Sequence, residues 1–175
     1  MGCVSILVQR KNVAALIRSF SKLTGMDGVS DVRLRICGKG PEKRSLDELT
    51  RSLGISDRVE FLSDLSEADL VKFYNSISVL ANPSMHEGFG CVTLEAQRCS
   101  TPVVFFRDAD IPEEVVRSAI PCDNEDDMAK KMHDLLTDAG QWEKIAREGK
   151  EYADSFGGEF SDTMVEIYRE LAKKD

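Results

Sequence analysis

Apolar residues alternate between two periods along the chain, and the switches mark its elements. Cys3–Val8 is a short apolar run that predicts a strand. In Asn12–Thr24, Val13, Leu16, Ile17, Phe20 and Leu23 recur at helical spacing. Val32–Cys37 returns to period two, with Val32, Leu34 and Ile36 set against Arg33 and Arg35, and stops at Gly38-Lys39-Gly40-Pro41. Pro41–Leu53 is helical again and closes on Gly54. Val59–Leu62 predicts a third strand. Ser66 predicts an N-cap, with Glu67 and Asp69 in the first turn of a helix carrying Leu70, Val71, Phe73, Tyr74 and Ile77. Val79–Ala81 predicts a fourth strand. A polar loop to Gly90 then leads into a helix through Leu94, Glu95 and Ala96. Thr101–Phe106 predicts a fifth strand, with Phe105 and Phe106 as core, Ile111–Arg117 a short helix and Ala119–Cys122 a sixth strand. The rest predicts helices at Asp126–Thr137, Gln141–Ser155 and Phe160–Lys174, the last two parted by Gly157-Gly158.

Strand–helix alternation of this kind calls for parallel strands with crossover helices, an α/β doubly wound sheet of about six strands covered on both faces. The expected organisation is one domain over 1–175, with a core to about 137 and C-terminal helices from about 138. Ligands in such sheets bind outside the carboxyl ends of the strands. The loops after each strand are therefore where chemistry is expected.

Length and composition agree with a single ordinary domain. The chain has 175 residues, 42% of them hydrophobic and 31% charged. No apolar run has the length of a transmembrane helix. The net charge of −8 is uneven: residues 123–175 hold 15 acids and 8 bases, and the preceding residues are nearly neutral. This acidic balance argues against nucleic-acid partners. The five cysteines, Cys3, Cys37, Cys91, Cys99 and Cys122, show no C-x-x-C spacing, which suggests a reducing, cytoplasmic setting. With only two histidines, His86 and His133, neither with a visible partner, no metal site is expected.

Asn82–Gly90 is the most loaded loop. It follows a strand and opens a helix whose first turn offers free N–H groups to a phosphate. Glu87 precedes that turn and Glu95 follows two turns on. Carboxylates suit sugar hydroxyls, because each accepts two charge-assisted hydrogen bonds. On the loop alone, a helix start with surface acids accounts for it equally well. Lys11 stands just before a helix N-terminus, where a cation opposes the macrodipole, and a bound phosphate would relieve the conflict. A lysine turned into solvent would do the same. A receiver-type domain would need acids at the end of strand one, where this chain has Gln9-Arg10-Lys11.

His86-Glu87-Gly88-Phe89-Gly90 through Thr93-Leu94-Glu95-Ala96, followed by Thr101-Pro102-Val103-Val104, resembles the E-x7-E signature of glycosyltransferase family 4. That family comprises retaining, nucleotide-sugar-dependent enzymes of the GT-B architecture. Lys11-Asn12-Val13, Leu34–Pro41, Asp57–Leu62 and Ile167-Tyr168-Arg169 are similar to its other landmarks, in order, over nearly the whole chain. The resemblance implies the donor-binding half of a hexosyltransferase, with a UDP- or GDP-linked sugar as substrate and no metal cofactor. Glu87 would contact the donor sugar and Glu95 the ribose hydroxyls. Lys11 would neutralise the diphosphate. Gly38 and Gly40 belong to the matching glycine turn, and the amides of Gly88, Phe89, Gly90 and the turn to Thr93 would hold sugar and diphosphate. Leu62–Asp64 would pass near the base. Three places depart from the family pattern. Ile6 stands where an arginine is usual, with Arg10 the nearest substitute; Ser100 replaces a glycine; and residues 108–121 are altered. The acceptor-binding domain of the GT-B pair is expected to be missing from this stretch and to come in cis or in trans. Localisation is expected in the cytoplasm or at the cytosolic face of a membrane.

Overall fold

The computed structural model describes residues 1–63 and 65–171, with side chains to residue 156. The elements run β1 (Gly2–Val4), a short 3-10 turn (Gln9–Lys11), α1 (Val13–Leu23), β2 (Leu34–Cys37), α2 (Lys43–Ser52), β3 (Val59–Leu62) and α3 (Glu67–Asn75). They continue with β4 (Leu80–Asn82), α4 (Cys91–Arg98), β5 (Val103–Phe106), α5 (Glu113–Val116), β6 (Ile120–Cys122), α6 (Glu125–Thr137) and α7 (Ala139–Leu171). The described residues form a six-stranded sheet in the order β3-β2-β1-β4-β5-β6, with every pair parallel.

Both faces of the sheet are covered, and the period-two side chains divide between them. Cys3, Leu34, Ile36, Val79, Ala81, Val104 and Phe106 enter one apolar cluster with α1 and α6. Cys37, Leu80, Val103 and Phe105 enter the other, with Phe73 and Tyr74 of α3, Ala96 of α4 and Val115 of α5. Each large side chain so buried contributes about 1.5–3 kcal/mol. Arg35, the polar position of β2, faces α3: its guanidinium lies 5.2 Å from the Phe73 ring centroid and donates to Ser76 Oγ. Ser66 caps α3 as expected, accepting from the Asp69 amide at 3.2 Å.

Two expectations need correction. The first strand is Gly2–Val4 rather than Cys3–Val8. Beyond Val4 the chain leaves the ladder and runs beside the segment that continues from β2, with Ser5 N donating to the Cys37 carbonyl (2.9 Å) and Leu7 N to the Lys39 carbonyl (2.8 Å). The two C-terminal helices are one, α7, which runs through Gly157-Gly158. A helical glycine costs about 1 kcal/mol relative to alanine, which weakens a helix without ending it. The expected end at Lys174 lies outside the described residues.

Candidate nucleotide-sugar site

β1 and β4 share a single registered pair, Gly2↔Leu80. Above that pair, at the point where the strand order reverses, lies a cleft of about 650 Å³. The segments after β1, β2 and β4 line it.

The β2 segment contributes Gly38 and Lys39. A Cβ on Gly38 would stand 1.8 Å from the Ser5 carbonyl oxygen, and one on Gly40 2.2 Å from that of Leu7. These glycines let two chain segments run backbone against backbone. Gly40 and Leu62 do not line the cleft; they border a neighbouring hollow of about 250 Å³ with Lys43 and Phe61. The end of the expected base-side loop, Asp64, lies outside the described residues.

The β1 segment contributes Ile6, Arg10 and Lys11. Lys11 ends the 3-10 turn, and Asn12, left-handed at φ 51°, passes the chain into α1. Lys11 is only 9% exposed, so it does not point into solvent. Its Nζ donates to Glu87 Oε2 at 2.5 Å. That carboxylate supplies a counter-charge to Lys11, a third arrangement beside the bound phosphate and the solvent-directed lysine considered from sequence. Ile6 is 59% exposed in the same cleft.

The β4 segment is held at both ends. The Met85 amide donates to the Arg10 carbonyl (3.1 Å) and the Glu87 amide to that of Asp110 (3.0 Å). The Asp110 amide returns to the Met85 carbonyl at 2.9 Å. His86, expected to lack a partner, has Nδ1 3.5 Å from the Asp110 carboxylate, and His133 Nε2 lies 2.9 Å from the Asp27 carbonyl oxygen. Gly90, at φ 90°, turns the loop into α4, whose first turn has no side-chain cap and no acid. Its N-terminus is thus a positive end left open toward the cleft. Phe89, Gly90, Cys91 and Val92 line the wall; Gly88 does not, and a Cβ there would meet nothing within 4 Å.

Thr93 is turned away. It is fully buried, its amide donates to the Gly90 carbonyl at 3.0 Å, and its hydroxyl accepts from Asn82 Nδ2 at 3.4 Å. Glu95 lies outside the cleft lining but is exposed, four residues after Cys91 and so on the same helix face. Its Oε2 accepts from the Tyr74 hydroxyl at 2.7 Å. The cleft thus gathers Arg10, Lys11 and Lys39 against one acid, Glu87, in a chain of net charge −8. Among the described residues, no three His, Cys, Asp or Glu side chains cluster as metal ligands would.

The family model for glycosyl transferases group 1 matches residues 1–152. The chain belongs to this family. The D-inositol 3-phosphate glycosyltransferase of Corynebacterium diphtheriae is 32% identical over 185 residues, an alignment that covers 100% of this chain and 43% of the relative. Sucrose-phosphate synthase of Thermosynechococcus elongatus superposes with a TM-score of 0.82 at 22% identity, over 99% of this chain and 46% of that one. The Anabaena protein HepE, solved in complex with UDP and glucose, superposes at 0.79 with 21% identity, over 94% of this chain and 47% of that one. These structural likenesses show the fold, a Rossmann-like sheet shared with GT-B glycosyltransferases. The glycosyltransferase chain spans less than half the length of each of these proteins.

Of the residues singled out on sequence, the glycosyltransferase fold brings Lys11, Gly38, Glu87, Phe89 and Gly90 to the cleft and sets Glu95 beyond it on the α4 face. It leaves Gly40, Leu62, Gly88 and Thr93 outside the lining. Sequence reasoning missed Tyr74, read only as helix core, and the apolar wall formed by Leu65 and Leu70. The one available signal for Tyr74 was chemical: a buried tyrosine hydroxyl needs a partner.

Proposed function

We propose that the chain is the donor half of a retaining, family 4 glycosyltransferase that moves a hexose from a UDP- or GDP-linked sugar to an acceptor hydroxyl. The observation that carries this reading is the cationic cleft at the β1/β4 switch point, closed at one side by the uncapped, acid-free start of α4. In this reading the departing diphosphate is stabilised where its charge develops, by Lys11, Arg10, the amides from Gly88 to Gly90 and the helix end. Glu87 contacts the donor sugar, Glu95 binds the ribose hydroxyls, and the Gly38 and Leu62 segments flank the nucleotide. The proposal asks for no metal, since side chains and backbone meet the diphosphate charge. The acceptor comes from a second domain, in cis or in trans. Five free cysteines support a placing in the cytoplasm or at the cytosolic face of a membrane.

Calorimetric titration with UDP and GDP tests the site. One of the two is expected to bind, and Glu95→Ala is expected to weaken it about tenfold, the worth of hydrogen bonds to a charged group. Absence of binding by both at millimolar concentration would overturn the assignment. A second reading, a non-catalytic module of the same fold, is favoured by the exposed Ile6, an apolar side chain in a site meant for diphosphate. It requires Glu95→Ala to leave nucleotide affinity unchanged.

A further inference from the structure

Tyr74 is 2% exposed at the end of α3, and every part of it but the hydroxyl is committed to the interior. Its ring packs edge-on against Phe73 at 6.1 Å between centroids. Its carbonyl accepts from Thr101 Oγ1 at 2.9 Å, and Thr101 is itself buried. The ring is therefore held by Phe73, and the backbone that carries it by Thr101, just before β5. The hydroxyl reaches Glu95 Oε2 at 2.7 Å. Among the described residues, Glu95 Oε1 accepts no hydrogen bond.

An exposed helical glutamate samples many rotamers, and any ligand that needs one of them must order it. A donor anchored in the core removes that cost before the ligand arrives. The bond uses one carboxylate oxygen and leaves the other for a hydroxyl pair. Burial, and then the adjacent carboxylate, hold the phenol well above its ordinary pKa, so it stays a donor.

We propose that Tyr74 is a positioning residue that presents the Glu95 carboxylate to the ribose hydroxyls of the donor nucleotide. This rests on the reading of Glu95 given above. Tyr74 and Glu95 both lie beyond the cleft lining, and in this contact a buried side chain sets the geometry of an exposed carboxylate on the α4 face that carries Cys91 of the cleft wall.

The test compares ribose with 2′,3′-dideoxyribose. UDP or GDP, whichever the wild type binds, and its dideoxy analogue are titrated calorimetrically into wild type, Tyr74→Phe, Glu95→Ala and the double variant. Tyr74→Phe is expected to weaken the ribonucleotide about fivefold and leave the dideoxynucleotide within about twofold, narrowing the preference for ribose. In the Glu95→Ala background it is expected to add nothing. The ratio of two affinities on one sample does not depend on the fraction folded, so partial unfolding of Tyr74→Phe cannot mimic the result. An unchanged ribose preference in Tyr74→Phe, with the preference lost in Glu95→Ala, would sink the positioning role and spare the site. A wild type with no preference for ribose would remove both.

Discussion

A Cβ on Gly38 would lie 1.8 Å from a backbone oxygen, whereas one on Gly88 would have open space around it. Both glycines sit in loops at the carboxyl end of the sheet, and both invite the reading that they let a ligand approach. Only the tertiary contact separates them. Gly38→Ala is expected to destabilise the fold by about 3 kcal/mol or more, since the Ser5 backbone cannot retreat without breaking its bond to Cys37. Gly88→Ala is expected to stay within about 0.5 kcal/mol of wild type. Urea midpoints of the two variants check this, and equal midpoints would refute it. Ser100 was legible in a different way. A glycine is usual there, and the serine does occupy the left-handed region at φ 57°. Lys11 was half legible: its place beside a helix start was readable, but not its burial against Glu87.

At the scale of elements, the strands and most helices could be read from periodicity, because each face of the sheet buries alternate residues of the same strand. Errors fell at element ends and at the glycine pair in α7, where local propensity is weak and packing decides. The α4–α7 packing contains a feature that periodicity could not show. Gln97 is 1% exposed, and neither of its amide atoms has a partner among the described residues. It lies across from Gly149, whose added Cβ would come within 3.2 Å of Gln97 Cγ. An unsatisfied buried amide costs about 1–3 kcal/mol. Gln97→Met keeps the volume and removes the polar atoms, so it is expected to raise the melting temperature by about 3 °C. An unchanged or lower melting temperature would show that the amide is satisfied. The Asn82–Gly90 loop illustrates the converse. Its residues signalled a site, but its placement comes from bonds to Arg10 and Asp110, one before and one after it in the chain.

For the whole molecule, charge is the property that composition alone misrepresents. A net −8 argues against binding anions, yet the fold collects Arg10, Lys11 and Lys39 at one cleft. Attraction of a diphosphate to that cleft is expected to be screened by salt. Raising NaCl from about 0.1 M to about 1 M, which shortens the screening length from about 10 Å to about 3 Å, is expected to weaken UDP or GDP binding while leaving the uncharged nucleoside unaffected. Titrations at the two salt concentrations check it, and equal affinities would mean that the cationic lining does not attract the ligand. The sequence by itself determined the alternation of strands and helices, hence a parallel sheet covered on both faces, and the residue types present from Glu87 to Glu95. Those signals are local: side-chain period and residue type are visible within one element. Tertiary structure alone decided which loops meet. Lys11 and Glu87 stand 76 residues apart and meet because the strand order places β4 beside β1; Tyr74 and Glu95 meet because α3 and α4, on either side of β4 in the chain, pack on the same face of the sheet. Register and packing, which no local period encodes, also turned Gly40 and Leu62 toward the neighbouring hollow instead of the cleft.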